Sequence, residues 1–99
     1  SFTQQNQFLM QLVTDITQLE AWPNPATHTL HLALPKWANE QTARLQIMDA
    51  WGKVQHTQAL GKHQATAEVN LYHLPAGIYF VQFSLDNIVQ GVQRFVVSK

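Results

Sequence analysis

Leu74-Pro75-Ala76-Gly77-Ile78-Tyr79-Phe80-Val81 decides the fold. Pro75 fixes its own φ and removes a backbone donor. Gly77 permits a conformation that a β-carbon would resist. Ile78 to Val81 is β-branched and aromatic, apolar on both faces, and suits a pleated, buried surface. A stiff corner therefore feeds directly into a strand that needs cover on both sides.

Reading outward, Gly77 to Leu85 is the central strand, with Tyr79, Val81, Phe83 and Leu85 pointing one way and Ile78 and Phe80 covering the other face. Asp86-Asn87 suits a tight hairpin. Ile88 to Val97 then closes the chain, with a bulge expected at Gly91. On the N-terminal side, Tyr72 to Ala76 is a corner, preceded by a strand over Ala65 to Leu71 with its odd-numbered residues inward. Gly61-Lys62 turns the chain back from Val54 to Leu60, and Asp49-Ala50-Trp51-Gly52-Lys53 is a turn in which Asp caps its own backbone and Gly supplies positive φ. Ala43 to Asp49 alternates, with Ala43, Leu45 and Ile47 inward. His28 to Leu34 alternates too, with Leu30, Leu32 and Leu34 on one face, and Pro35 ends it. Leu19 to Trp22 reads as a short edge strand stopped by the stiff corner Pro23-Asn24-Pro25.

Six or seven short strands with turn signals about every ten residues define an all-β, Ig-like antiparallel sandwich. A helical reading of residues 22 to 99 would have to cross four prolines and four glycines. Residues 1 to 18 differ. Phe8, Leu9, Leu12, Val13 and Ile16, with Leu19, recur at helical spacing, so a short helix, or a linker that orders against a partner, is expected there as the tail of an upstream region. The expected division is thus 1–18 and a domain over 19–99. Ser1-Phe2-Thr3-Gln4 reads as the interior of a longer chain, with any export signal upstream.

Composition narrows the function. Charged residues are 12% of the 99, against about 25% in average domains, and the formal net charge is zero. No Lys/Arg cluster provides the footprint of a nucleic-acid binder. No apolar run approaches the length of a spanning helix. Without cysteine there are no disulfides, thiolate nucleophiles or Cys-based zinc sites.

Four segments carry a resemblance: Trp22-Pro23-Asn24-Pro25-Ala26; Asp49-Ala50-Trp51-Gly52-Lys53; Leu71 with Leu74-Pro75-Ala76-Gly77-Ile78-Tyr79-Phe80-Val81; and Phe95-Val96-Val97-Ser98-Lys99. Together, over residues 16 to 99, they resemble the type A C-terminal sorting domain of the Bacteroidetes type IX (Por) secretion system. In that family an aromatic residue followed by Pro-Asn-Pro opens the domain. A "D-x-x-G-(R/K)" turn, an "L-P-x-G-x-Y" corner and a short apolar strand ending in Lys follow in order. Trp22 stands where Tyr is usual, Trp51 where Leu is usual and Lys53 where Arg is common.

The resemblance implies a seven-stranded Ig-like sandwich at the end of an exported protein, recognised by the outer-membrane translocon. It also implies, in many members, removal by a sortase-like surface protease and attachment of the cargo to anionic lipopolysaccharide. The implied route runs through the periplasm to the outer-membrane surface or the medium. The matching positions are Trp22, Pro23, Asn24, Pro25, Asp49, Gly52, Lys53, Leu74, Pro75, Gly77, Tyr79, Phe95, Val96, Val97 and Lys99.

Read without the family, the same residues are mostly architectural. Pro23, Pro25, Gly52 and Gly77 fix corners, and Tyr79 and Phe83 anchor a core. Phe95-Val96-Val97 is either an ordinary closing strand or an element recognised by β-augmentation at a sheet edge. Trp37 and Trp51 fall in loops, so an accessory domain binding glycan or protein through an aromatic loop face is the alternative. A retained outer-membrane-associated domain is a third reading. Trp22, Trp37 and Trp51 have buried packing as their default.

Reactive chemistry is hard to assemble. His28 and His31 point to opposite faces of a strand, and His56 and His63 face each other across the Gly61 turn without a carboxylate to complete a set, so no metal is expected. Ser1, Ser84 and Ser98 lie in no nucleophile elbow. The carboxylates are scattered and the glycines never cluster. No catalytic residue, no cofactor and no nucleic-acid partner is expected, and the domain is read as a monomer or weak dimer.

Overall fold

The computed structural model describes residues 17–38 and 40–99, with backbone alone for Thr17 and Gln18. The expected helical stripe from Phe8 to Ile16 lies outside the described residues. Eight strands follow in order: β1 (Thr17–Gln18), β2 (Glu20–Trp22), β3 (Thr29–Ala33), β4 (Ala43–Asp49), β5 (Val54–Ala59), β6 (Thr66–Asn70), β7 (Gly77–Leu85) and β8 (Ile88–Val97). Among the described residues there is no helix.

Two sheets face each other, one ordered β1-β8-β7-β4-β5 and the other β2-β3-β6. The pairings between these strands are antiparallel except that of the two-residue β1, which lies parallel to β8 with Thr17 opposite Gly91. Thr17 and Gln18, the tail of the expected linker, are thus a strand. The architecture is the antiparallel sandwich that the turn spacing implies.

The period-2 pattern builds the core. Ala43, Leu45 and Ile47 of β4 face inward with Tyr79, Val81, Phe83 and Leu85 of β7 and Phe95 and Val97 of β8. Leu30 and Leu32 of β3 and Ala67 and Val69 of β6 close over them from the smaller sheet. Burying each large apolar side chain contributes about 1.5–3 kcal/mol. β7 is the middle strand of its sheet, but only its inward face is buried: on the outer face Ile78 is exposed and Phe80 half-buried, so the cover expected on both sides is present on one.

Three expectations shift at strand ends. Ala65 precedes β6 and is exposed, so the inward row is Ala67, Val69 and Leu71. β3 stops at Ala33, and Leu34 packs half-buried against the core after its N–H is taken by the Ala65 carbonyl at 2.9 Å. The β8 bulge falls beside Gly91. Phe83 pairs with Gly91 and Ser84 with Val89, leaving Gln90 as the extra residue. Asp86 and Asn87 have φ of 51° and 69°, the left-handed pair of a tight hairpin.

The register puts the connections at two ends. Asp49 lies opposite Tyr79, and Tyr79 opposite Phe95; Gly77 lies opposite Val97. The chain from Trp22 to His28 and the turn after Asn70 reach the same end, with the Leu71 N–H on the His28 carbonyl at 2.8 Å. The Leu34–Thr42 loop, the Gly61 turn and the Asp86 hairpin lie at the other.

Candidate recognition surface

The Asp49 turn is closed by its own carboxylate. Oδ1 accepts the N–H groups of Trp51 (2.9 Å) and Lys53 (3.0 Å), and Oδ2 accepts Gln55 Nε2 at 3.0 Å. The Gly52 N–H returns to the Asp49 carbonyl at 3.0 Å, and Gly52 takes φ +83°. The Asp49 carboxyl is held below its ordinary value, most strongly by the Lys53 N–H; burial opposes this, and Gln55, the Trp51 N–H and the Lys53 charge each add a smaller lowering. A side chain this fully used leaves Trp51 at the tip, 90% exposed.

The Pro75 corner faces that turn. Tyr79 is buried, and its hydroxyl donates to the Pro75 carbonyl at 2.7 Å, a bond of the tyrosine-corner kind that pins strand to corner. Burial raises the Tyr79 hydroxyl above its ordinary value, and the neighbouring Asp49 charge adds to this. Gly77 has φ +158°. Between turn and corner lies a groove of about 540 Å³ whose walls include Asp49, Trp51, Gln55, Pro75, Gly77 and Ile78. Ile78 is 42% exposed there, so the groove has an apolar rim on both sides.

The Pro-Asn-Pro segment and the end of β8 complete this end of the sandwich. Both Trp22-Pro23 and Asn24-Pro25 are cis. Asn24 Oδ1 accepts the Val96 N–H at 3.0 Å, the Ala26 N–H bonds the Val96 carbonyl at 2.8 Å, and the Ser98 N–H bonds the Ala26 carbonyl at 2.8 Å. Ala26 forms a parallel bridge with Val97. The Lys99 ammonium donates to the carbonyls of Leu71 (3.0 Å), Tyr72 (3.1 Å) and Leu74 (2.6 Å). All four sequence motifs therefore meet at one end, each bonded to or lining a groove with another.

The expected site residues divide by burial. Leu74, Tyr79, Phe95 and Val97 are buried and shape the surface from beneath. Trp22, Pro23, Asn24, Pro25, Gly52, Lys53, Pro75 and Lys99 are exposed, and Val96 and Gly77 are half-buried. Of the two readings of Phe95–Val97, strand addition at the β8 edge meets positions already bonded at Val92 and Val96. Asn24–Ala26 takes the backbone groups of Val96, and the Leu19 N–H bonds the Val92 carbonyl at 3.3 Å beside β1.

The aromatic loop face is also corrected. Trp37 packs on Phe83 with ring centroids 5.5 Å apart, beside a smaller cavity of about 400 Å³ at the far end, whereas Trp51 stands at the motif end. Trp22, at 47% exposure, stacks on His31 at 5.9 Å on the outer face of the smaller sheet. His56 pairs with His73 at 5.6 Å and not with His63, because β5 runs beside the Leu71–Leu74 corner. Among the described residues no three His, Asp or Glu side chains come together as a metal-holding group. Ile78 and Gln55 were not legible as site residues. Ile78 reads as strand cover, and Gln55 reaches Asp49 only because a bulge inserts it between the His56 and Val54 pairings.

The described residues form a two-sheet sandwich with the four sequence motifs gathered at one end. The model of the secretion system C-terminal sorting domain family matches residues 20–98, and the chain belongs to that family. It is a type IX secretion signal for cargo export across the outer membrane, and not an enzyme. No curated protein matches the chain.

Proposed function

We propose that the motif end of the folded sandwich is the surface that the type IX machinery recognises, with the groove between the Asp49 turn and the Pro75 corner at its centre. The observation that carries this is the meeting of four sequence-distant motifs at one end of the sandwich, where the Asp49 turn and the Pro75 corner line a groove rimmed by exposed Trp51 and Ile78 and the Pro-Asn-Pro segment and the end of β8 are bonded to each other and, through Lys99, to the turn before Pro75. Most motif residues point into turns or core, so they act by shaping the outline. A large aromatic on a rigid turn is the kind of anchor that dominates protein recognition.

In this reading the domain is of type A. It crosses the periplasm folded, engages the translocon through this end, and is then available to sortase components that remove it and join the cargo to anionic lipopolysaccharide at the outer-membrane surface, or is released to the medium. It acts as a monomer or weak dimer. The four motifs, in family order, support this course.

The test is a reporter fused ahead of this domain in a type IX-competent host. Trp51→Ser with Ile78→Ser is expected to leave the melting temperature of the domain unchanged and to lower surface delivery by about tenfold or more, the loss expected of a central aromatic anchor. Undiminished delivery by a folded double variant would overturn the assignment of the surface.

A further inference from the structure

Three carbonyl oxygens from one short turn converge on the Lys99 ammonium. Leu71, Tyr72 and Leu74 supply them at 3.0, 3.1 and 2.6 Å. The turn itself is rigid. The Leu74 N–H bonds the Leu71 carbonyl at 3.0 Å, the Tyr72 N–H bonds Asn70 Oδ1 at 2.8 Å, and the Leu71 and Leu74 side chains are fully buried. A carbonyl oxygen has two lone pairs, so Leu71 can accept the ammonium as well as the Leu74 N–H, and bonds to a charged donor are stronger than neutral ones. An ammonium has three donors on one atom, matching three acceptors that meet at one point.

Lys99 sits in a run whose neighbours are also bonded. Val96 and Ser98 hold the Pro-Asn-Pro segment on one side, and Lys99 reaches the Leu71–Leu74 turn on the other. That turn runs directly into Pro75, whose carbonyl receives Tyr79 and whose ring walls the groove.

We infer that Lys99 is a positioning residue for the recognition surface: its ammonium clamps the end of β8 to the turn that sets the Pro75 wall, and its charge is not itself what the partner reads. The inference rests on the proposed location of that surface. It separates sharply from direct reading of a positive charge. A clamp needs three donors on one tetrahedral nitrogen, which the planar, divergent fork of arginine does not provide. A charge that is read would be served nearly as well by Arg.

The experiment combines amide hydrogen exchange with reporter export for Lys99→Met and Lys99→Arg. In both, exchange at Leu74 and at Gly77–Tyr79 is expected to quicken by about tenfold, the size of change a lost charge-assisted bond produces, while the Phe83 amide is unaffected. Export is expected to fall in both. Wild-type export of Lys99→Arg, or unaltered exchange at the corner in Lys99→Met, would overturn the clamp. Should Lys99→Met fail to fold, Lys99→Arg alone decides, since it keeps charge and length. If the Trp51→Ser, Ile78→Ser fusion is exported normally, the surface assignment fails; if that fusion is blocked and the Lys99 variants behave as wild type, the clamp alone fails.

Discussion

At the residue scale, four motif positions, Asn24, Asp49, Tyr79 and Lys99, are ones where a polar side chain bonds backbone groups. Asp49 satisfies two N–H groups and Gln55, and Asn24 satisfies Val96. The Asp49 carboxyl is held below 3.8 in the folded chain, while the unfolded chain keeps the ordinary value. Its contribution is therefore complete above that value and is lost as pH falls through the lowered one. Asp49→Asn is expected to lower the melting temperature at neutral pH, and the gap from wild type is expected to narrow once pH falls below 3.8. Thermal unfolding of both proteins across acid pH checks this; a gap independent of pH would contradict it. The Asp-x-x-Gly turn was legible from sequence because Asp and Gly each have one local reason to be there. The fate of Lys99 was not, since its acceptors lie 25 to 28 positions earlier in the chain.

At the scale of elements, the corner before β7 is the most constrained. Gly77 sits at φ +158°, and an added β-carbon would meet Tyr79 Cε2 at an ordinary 3.8 Å, so any cost of substitution there is of the backbone and not of space. Gly77→Val is expected to destabilise the domain by about 1–3 kcal/mol, read as a lower denaturation midpoint in urea with an unchanged slope; an unchanged midpoint would show that the corner tolerates a side chain. Strands β4, β6 and β7 were legible because each alternates between apolar inward and polar outward residues for at least five positions. The edges were less so. The β3–β6 register ends at Ala33 opposite Thr66, and Leu34 and Ala65 beyond it keep a single backbone bond, so neither falls within a strand. The closed β8 edge was hidden as well. Its partners are a two-residue strand and the Ala26 bridge, too short to leave a pattern.

For the whole molecule, the fold is an arrangement that brings the four motifs to one end and leaves Trp51 exposed on a turn anchored by Asp49. The order of the motifs was visible in the sequence, but their convergence follows from strand register, with Asp49, Tyr79 and Phe95 in one row. The sequence likewise left Trp37 and Trp51 as equals; packing on Phe83 removes the first from consideration. If this end is what the export machinery engages, proximity during transit should show it. A photo-crosslinking amino acid placed at Trp51, compared with one at Thr66 on the outer face of the smaller sheet, tests that in cells exporting the fused reporter. The account predicts a crosslink from Trp51 to an outer-membrane component of the type IX machinery and none from Thr66; equal capture from both positions, or capture from Thr66 alone, would contradict it.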